Sequence, residues 1–424
     1  MSVAEQSLTD RITYEDLYRR WEESNWSAMA LDFEPDREGW QNLTELQRKS
    51  AMWIYSLFFY GEDSVADNLS PYIDAAPKEE QKYFLATQQV DEARHAVFFH
   101  RFFKEVIGAG DSIAATLATT EEHHTWGYRQ IFDRLDRMAE ELRRDRSLPK
   151  FAQAITLYHL IVEATLAQPG QHYIEDFFVR DGSLPGFAEG MQNVSRDEQR
   201  HIGFGVKVLS ELIRESDEVK AAIDELLADV MRHTSSVLIP PGWDFEYFRC
   251  YGFDYEDIAE WGMQALEQKW RAIGYPMDEM PPGVIPMDFS LPPRERAKHM
   301  MALTRAGVVG EPKPAGEIDS SPEVQRLFFD LIARSVDTTG SNGTPFTVQW
   351  KFTDVEPWHV SVSNGSTRAE PGLAGHADVT LEASWHDFVE IGKGAIAPPK
   401  ALLQRRLKLR GGPRNLLRFR RLFG

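Results

Sequence analysis

Two Glu-x-x-His pairs, Glu92–His95 in VDEARHAVFF and Glu198–His201 in SRDEQRHIGF, are the residues of this chain best suited to chemistry. A carboxylate and an imidazole three residues apart share one helix face and can reach one metal ion. A single such pair is far more often a solvated helix face. Here each is preceded by a solitary Glu on another apolar stretch, Glu62 thirty residues before the first motif and Glu163 thirty-five before the second. Six such ligands from four helices make a dinuclear site inside a four-helix bundle.

Charge balance points to two ions. Four buried carboxylates without counter-charge are prohibitive, and their pKa values would climb until some stayed protonated. Two divalent ions cancel that charge, with neutral imidazoles completing the set. Oxygen donors with two imidazoles suit iron or manganese, which can change oxidation state and bind dioxygen. Asp91 and Asp197 each precede the Glu of a motif. Each can accept the outer N–H of the opposite histidine, or be an ordinary surface Asp. His159, on the face of Glu163, reads as a packed or hydrogen-bonded histidine rather than a seventh ligand.

The elements that must position these residues are helices. Residues from about 10 to 275 carry apolar positions at helical spacing, broken by Pro77, Gly108, Gly110 and DGSLPG. The ligand-bearing segments form two pairs, each a helix with a lone Glu followed by a helix with Glu-x-x-His. Pro169–Gly170 falls inside the Glu163 helix and should kink or widen it. Small residues one turn beyond three ligands, Ala66, Ala96 and Ala167, would open a pocket or let helices pack closely. Residues 277–320 are rich in Pro and Gly and read as a linker. From about 321 a short helix gives way to period-two stretches such as PFTVQWKFT, HVSVSNGS and HADVTLEAS, then WHDFVEIGKG, RLKLRGG and PRNLLRFRRLF. This is a small α+β domain. The chain is therefore multidomain: an all-α bundle at 1–276, a linker at 277–320 and an α+β domain at 321–424.

Composition narrows the function. One cysteine, Cys250, excludes a disulfide framework and a Cys-ligated zinc or iron–sulfur site. The net charge of -19 argues against nucleic-acid partners. Residues 401–424 carry eight Lys/Arg and no acid, a solvated face or a weak membrane-surface contact. No apolar leader or spanning segment is present, so a cytoplasmic location is expected.

The set Glu62, Glu92, His95, Glu163, Glu198 and His201, with FFYGEDSVADNLSPYI and LYHLIVEATLA, resembles the ferritin-like small subunit of ribonucleotide reductase. It is closer to the related ligand-binding oxidases that assemble a manganese/iron or di-iron cofactor. The resemblance covers roughly residues 30–240. Reductase small subunits commonly place a radical-forming Tyr four residues after the first His; this chain has Phe99 there. The oxidases have a Val three after the first Glu and a Tyr five before the second lone Glu, matched by Val65 and Tyr158. The resemblance implies an oxidative Tyr158–Val65 ether cross-link beside the metals. Helical geometry places Val65 with Glu62, but five residues is about 140° round an ideal helix, so Tyr158 rests on the resemblance alone. Residues 321–424 resemble the sterol-carrier-protein lipid-binding fold through ADVTLEASWHDFVEIGKG and LKLRGGPRNLLRFRRLF. Pro398–Pro399 would lengthen the stiff segment before the last strand.

These readings converge on an oxygen-activating dinuclear metal (Mn/Fe or Fe/Fe) oxidase or oxygenase. Its lipophilic or fatty acyl substrate would be held or delivered by the C-terminal domain. An external electron donor and a homodimer are expected from the resemblance. The alternatives are a reductase-like radical protein and a lipid carrier with a structural metal-binding bundle.

Overall fold

The computed structural model describes residues 12–310, 318–338 and 343–423. The chain divides into two compact units, Met1–Leu226 with Ser236–Met277, and Leu227–Ser235 with Asp278–Gly424. Among the described residues no helix is long and apolar enough to cross a membrane.

The first unit is helical. Its main elements are α1 (Tyr14–Glu23), α2 (Glu45–Asn68), α3 (Glu79–Phe102), α4 (Trp126–Arg144), α5 (Leu148–Ile155), α6 (Gln168–Asp181) and α7 (Pro185–Glu215). Helix α8 (Asp217–Thr234) crosses the unit boundary in sequence, and α9 (Tyr255–Ala272) follows. A capping box starts α2: Thr44 Oγ1 accepts from Gln47 N at 3.2 Å while Gln47 Oε1 accepts from Thr44 N at 2.9 Å. The apolar run that continues to Ile73 is two helices, because Pro71 opens a separate turn at Ser70–Ala75. Asp36 caps α7 from a distance, its carboxylate accepting from Gly186 N at 2.9 Å and Phe187 N at 2.8 Å. Burial lifts that carboxyl to about 6.

Helix α7 lies unusually close to its neighbours. A Cβ at Gly190 would stand 2.1 Å from the Phe98 ring, and one at Gly205 would stand 2.3 Å from His159 Cβ. Between α5 and α6 the chain winds as a π-helix over Thr156–Ala167, and Gln168 N still bonds Glu163 O five residues back. Pro169 explains the widening: it donates no N–H, and its ring would clash with the carbonyl four residues earlier in a regular α-helix.

In the second unit, α10 (Pro293–Arg305) and α11 (Pro322–Ser335) precede β1 (Phe346–Phe352), β2 (Trp358–Ser363), β3 (Ser366–Pro371) and β4 (Val379–Ala383). Then follow α12 (Trp385–Gly392), α13 (Pro398–Leu403), β5 (Leu407–Gly411) and α14 (Pro413–Phe423). The sheet order is β3-β2-β1-β4-β5, with β1 and β4 parallel and the other pairs antiparallel. Asn364 and Gly365, at φ 49° and 77°, form the two-residue turn joining β2 to β3. Inward-facing Val348, Trp350, Val360 and Leu381 meet Phe328, Phe329 and Trp385 from the helices. Phe329 stacks on Trp358 with ring centroids 4.8 Å apart. The stretch 277–320, expected as linker, carries α10, and Leu303, Ala306 and Val308 join this core. Its positions 311–317 lie outside the described residues. Pro398 and Pro399 open α13 rather than stiffen an extended segment, since a first helical turn needs no N–H from them.

Candidate metal centre

The four ligand-bearing elements, α2, α3, the π-helical stretch and α7, bring all six expected residues together. Glu62, Glu92, His95 and Glu198 form one buried group, and Glu92, Glu163, Glu198 and His201 a second. In each, the donor atoms lie within 4.8 Å of one another. Glu92 and Glu198 belong to both. The arrangement is a pseudo-repeat in space as well as in sequence.

Each imidazole turns Nδ1 toward the carboxylates. His95 Nδ1 stands 3.1 Å from Glu62, 3.4 Å from Glu92 and 3.7 Å from Glu198. His201 Nδ1 stands 3.2 Å from Glu92, 3.5 Å from Glu163 and 3.8 Å from Glu198. The outer nitrogens go where the doubled Asp-Glu pattern suggests, each to the Asp of the opposite motif. His95 Nε2 is 3.2 Å from Asp197 and His201 Nε2 3.1 Å from Asp91. In the neutral ring that contact presents the Nδ1 lone pair to the site.

The donor set fits two cations. Glu163 Oε2, Glu198 Oε2 and His201 Nδ1 are buried and make no hydrogen bond of good geometry, a costly state unless something else satisfies them. Burial pushes Glu62, Glu163 and Glu198 above the usual carboxylate range. Burial opposes the charge of Glu92 too, but His201 and His95 hold it below that range. Against the same burial, the carboxylates lift His95 and His201 well above ordinary histidine. Protons on the imidazoles thus supply, in the metal-free chain, the positive charge that metal ions would bring.

A pH dependence follows. Three carboxyls and two imidazoles bind protons more tightly folded than unfolded, so raising the pH past the unfolded histidine value removes stability. Glu92 is ionised throughout that range and contributes a constant. Metal-stripped protein is expected to melt at progressively lower temperature from about pH 6 to pH 9. Thermal melts in chelator across that range check it, and a rising Tm would contradict it.

The outer partners extend beyond the aspartates. Arg200, buried between the motifs, donates to Asp91 at 2.6 Å and Asp197 at 2.9 Å. Arg94 lies 3.2 Å from Asp91 and 3.5 Å from Asp197. Two indoles complete the carboxylate contacts, Trp21 Nε1 to Asp91 at 2.9 Å and Trp26 Nε1 to Asp197 at 2.8 Å. Gln88 donates to Glu163 Oε1 at 2.9 Å and meets His159 Nε2 at 3.1 Å through its carbonyl oxygen. His159 joins neither donor group, and burial drives it down to about 3, so it is a neutral hydrogen-bonding histidine.

Tyr158 donates to Glu92 Oε1 at 2.6 Å. The π winding explains this placement. Bonds from i to i+5 widen the turn beyond 3.6 residues, which brings Tyr158 nearer the face of Glu163 than the roughly 140° of an α-helix. Tyr158 and Val65 both line an apolar cavity of about 70 Å³ that also touches Glu62, Glu92, Glu163 and Glu198. Of the three alanines expected to open a pocket, only Ala167 lines it, together with Gly61 and Gly170. Phe99 is fully buried, its ring stacked on Phe58 at 6.2 Å.

A family model described as ribonucleotide reductase, small chain, matches residues 10–238. One described as alkyl sulfatase C-terminal matches residues 324–424. Among solved structures, R2-like ligand-binding oxidase from Sulfolobus acidocaldarius is 24% identical with TM-score 0.53, covering 67% of this chain and 94% of that one. A variant R2-like ligand-binding oxidase with an anaerobically reconstituted Mn/Fe cofactor is 23% identical with TM-score 0.54, covering 62% and 93%. These likenesses carry the fold: a ferritin-like helical domain, followed by a small domain of sheet and helices.

Proposed function

We propose, because this chain belongs to the ribonucleotide reductase small-chain family, that residues 1–276 are a dinuclear metal oxidase domain. Glu62, Glu92, His95, Glu163, Glu198 and His201 hold two ions, Mn/Fe or Fe/Fe, and dioxygen is the oxidant. The observation that carries this reading is the pair of buried donor groups sharing Glu92 and Glu198 beside an apolar cavity. The Mn/Fe cofactor of the R2-like oxidase supports the choice of metals. Bound there, the ions supply redox equivalents and a place for dioxygen to be reduced.

The side chains do the rest. Asp91 and Asp197 fix the imidazole orientation, and Gln88 steadies Glu163. Phe58, Val162 and Leu166 make the cavity apolar, suited to a C–H-rich substrate. Tyr158 keeps a phenol against Glu92. Anaerobic loading with iron and manganese, then oxygen, is expected to give a transient absorbance change and a stable oxidised state. No spectral change on oxygenation would sink the reading.

Tyr158 and Val65 are proposed to form an ether. The phenolic O–H and a Val65 C–H bond break, a C–O bond forms, and two electrons and two protons pass to dioxygen. Intact mass should fall by two hydrogens after aerobic metal loading, with both residues in one linked peptide. Separate, unmodified peptides would refute it.

The competing reading, a radical subunit supporting nucleotide reduction, is favoured by the family match. Reductase small subunits commonly carry the radical tyrosine four residues after the first His, and here that position is Phe99. Nucleotide reduction with a large subunit would decide for it.

Residues 321–424, joined through 277–320, are proposed as a sterol-carrier-protein-like domain that holds or delivers the lipophilic substrate. Its apolar layer between sheet and helices supports this. A recognisable lipid extracted from native protein is the expected result. A carrier with a structural bundle would instead keep its function in Glu92→Ala.

A further inference from the structure

An open groove, of about 530 Å³, lies among α6, α7 and α9. It opens to solvent: Gln192, Arg196, Gln199 and Gln268 are exposed, while Pro169 and Gln171 are buried. Its polar lining includes Gln171 and Glu175 from α6, Ser195 and Arg196 from α7, and Gln264 and Lys269 from α9. Gln171 is only 3% exposed, and its amide nitrogen has no hydrogen-bond partner among the described residues. Neither Arg196 nor Lys269 has an ion-pair partner among them. Burial draws the Lys269 ammonium below its ordinary range, a cost that a bound anion would offset. The one acid in the lining, Glu175, already accepts from the Ser195 hydroxyl across α6 and α7. The ring of Trp261, edge to face with His172 at 4.4 Å between centroids, makes a flat wall.

We propose that this groove binds a small polar anion, a carboxylate or phosphate on a hydroxyl-bearing body. Arg196 and Lys269 take the anion, and Gln171 with the neighbouring amides takes the hydroxyls. The site is independent of the metal reading. It shares one wall with the apolar cavity: Ala167 and Gly170 line that one, while Gln168, Pro169 and Gln171 line this one.

The test is calorimetric titration of the full-length protein with glycerol 3-phosphate and with glycerate, using uncharged glycerol as control. Wild type should bind at least one anion saturably, one per chain, and ignore glycerol. The double variant Arg196→Gln, Lys269→Met should bind about tenfold more weakly or worse, with unchanged far-UV dichroism and metal content. Gln171→Met, which keeps both cations, should weaken binding less. Failure of wild type to bind either anion overturns the proposal, as does equal binding by the double variant. A changed oligomeric state in the double variant with anion binding unaltered also overturns it, assigning the cleft to contact between copies.

Discussion

Glu198→Gln is expected to leave the fold intact and to prevent the chain from holding two metal ions. Glu198 belongs to both donor groups, so its loss removes an oxygen donor from each at once. One of its oxygens is buried without a partner, so the side chain contributes little to the metal-free fold. Burial raises its carboxyl, and an amide of the same shape removes that cost. The metal-free variant should therefore melt at or slightly above the wild-type temperature, while the gain on adding metal disappears. For wild type that gain is about 4 kcal/mol at metal a thousandfold above Kd. Affinity should fall by more than the roughly 10–100-fold that loss of an outer partner costs. Element analysis, melts with and without metal, and absorbance on oxygenation read these three effects separately. Two ions per chain with wild-type oxygen response would remove Glu198 from the site.

The six clustered residues were legible because ligand chemistry leaves its mark in local spacing. Glu92–His95 and Glu198–His201 share helix faces whatever the tertiary packing, and lone acids in apolar stretches stand out. Tyr158 was not legible from geometry, because its position depends on π winding, which a 3.6-residue period does not anticipate. Pro169 was the available signal. The outer contacts were half visible. Asp91 and Asp197 were noticed, yet the common pattern is longer, Asp-Glu-x-Arg-His, in both DEARH and DEQRH. Arg94 and Arg200 hold equivalent places in it. Trp21 and Trp26 had no such mark, since α1 and the segment after it reach the site only through tertiary packing. Strand β3 was missed in the sheet because its burial pattern contains no buried position. Its sequence, STRAEP, lacks the alternation that reveals a half-buried strand. The α10 stretch was hidden by its flanking prolines, which open a helix as readily as they stiffen a linker.

Arg200→Met should destabilise the metal-free protein by about 3 kcal/mol or more and weaken both metal sites together. Arg200 is 7% exposed and donates to both Asp91 and Asp197. Removing its guanidinium leaves two buried carboxylates facing each other with less counter-charge, the arrangement in which breaking a buried pair is most costly. Because each Asp orients the histidine of the opposite motif, the disturbance spreads to His95 and His201 alike. Arg94 moderates the loss but does not replace it. It stands farther from both carboxylates, and its Nη1 makes no hydrogen bond of good geometry. Arg94→Met should accordingly show the same pattern with a smaller amplitude. Denaturant unfolding of chelator-stripped protein gives the stability term, and competitive metal titration gives the affinity of each ion. A large loss confined to one ion, or a larger effect from Arg94→Met than from Arg200→Met, would contradict the view that one buried cation steadies both halves of the centre.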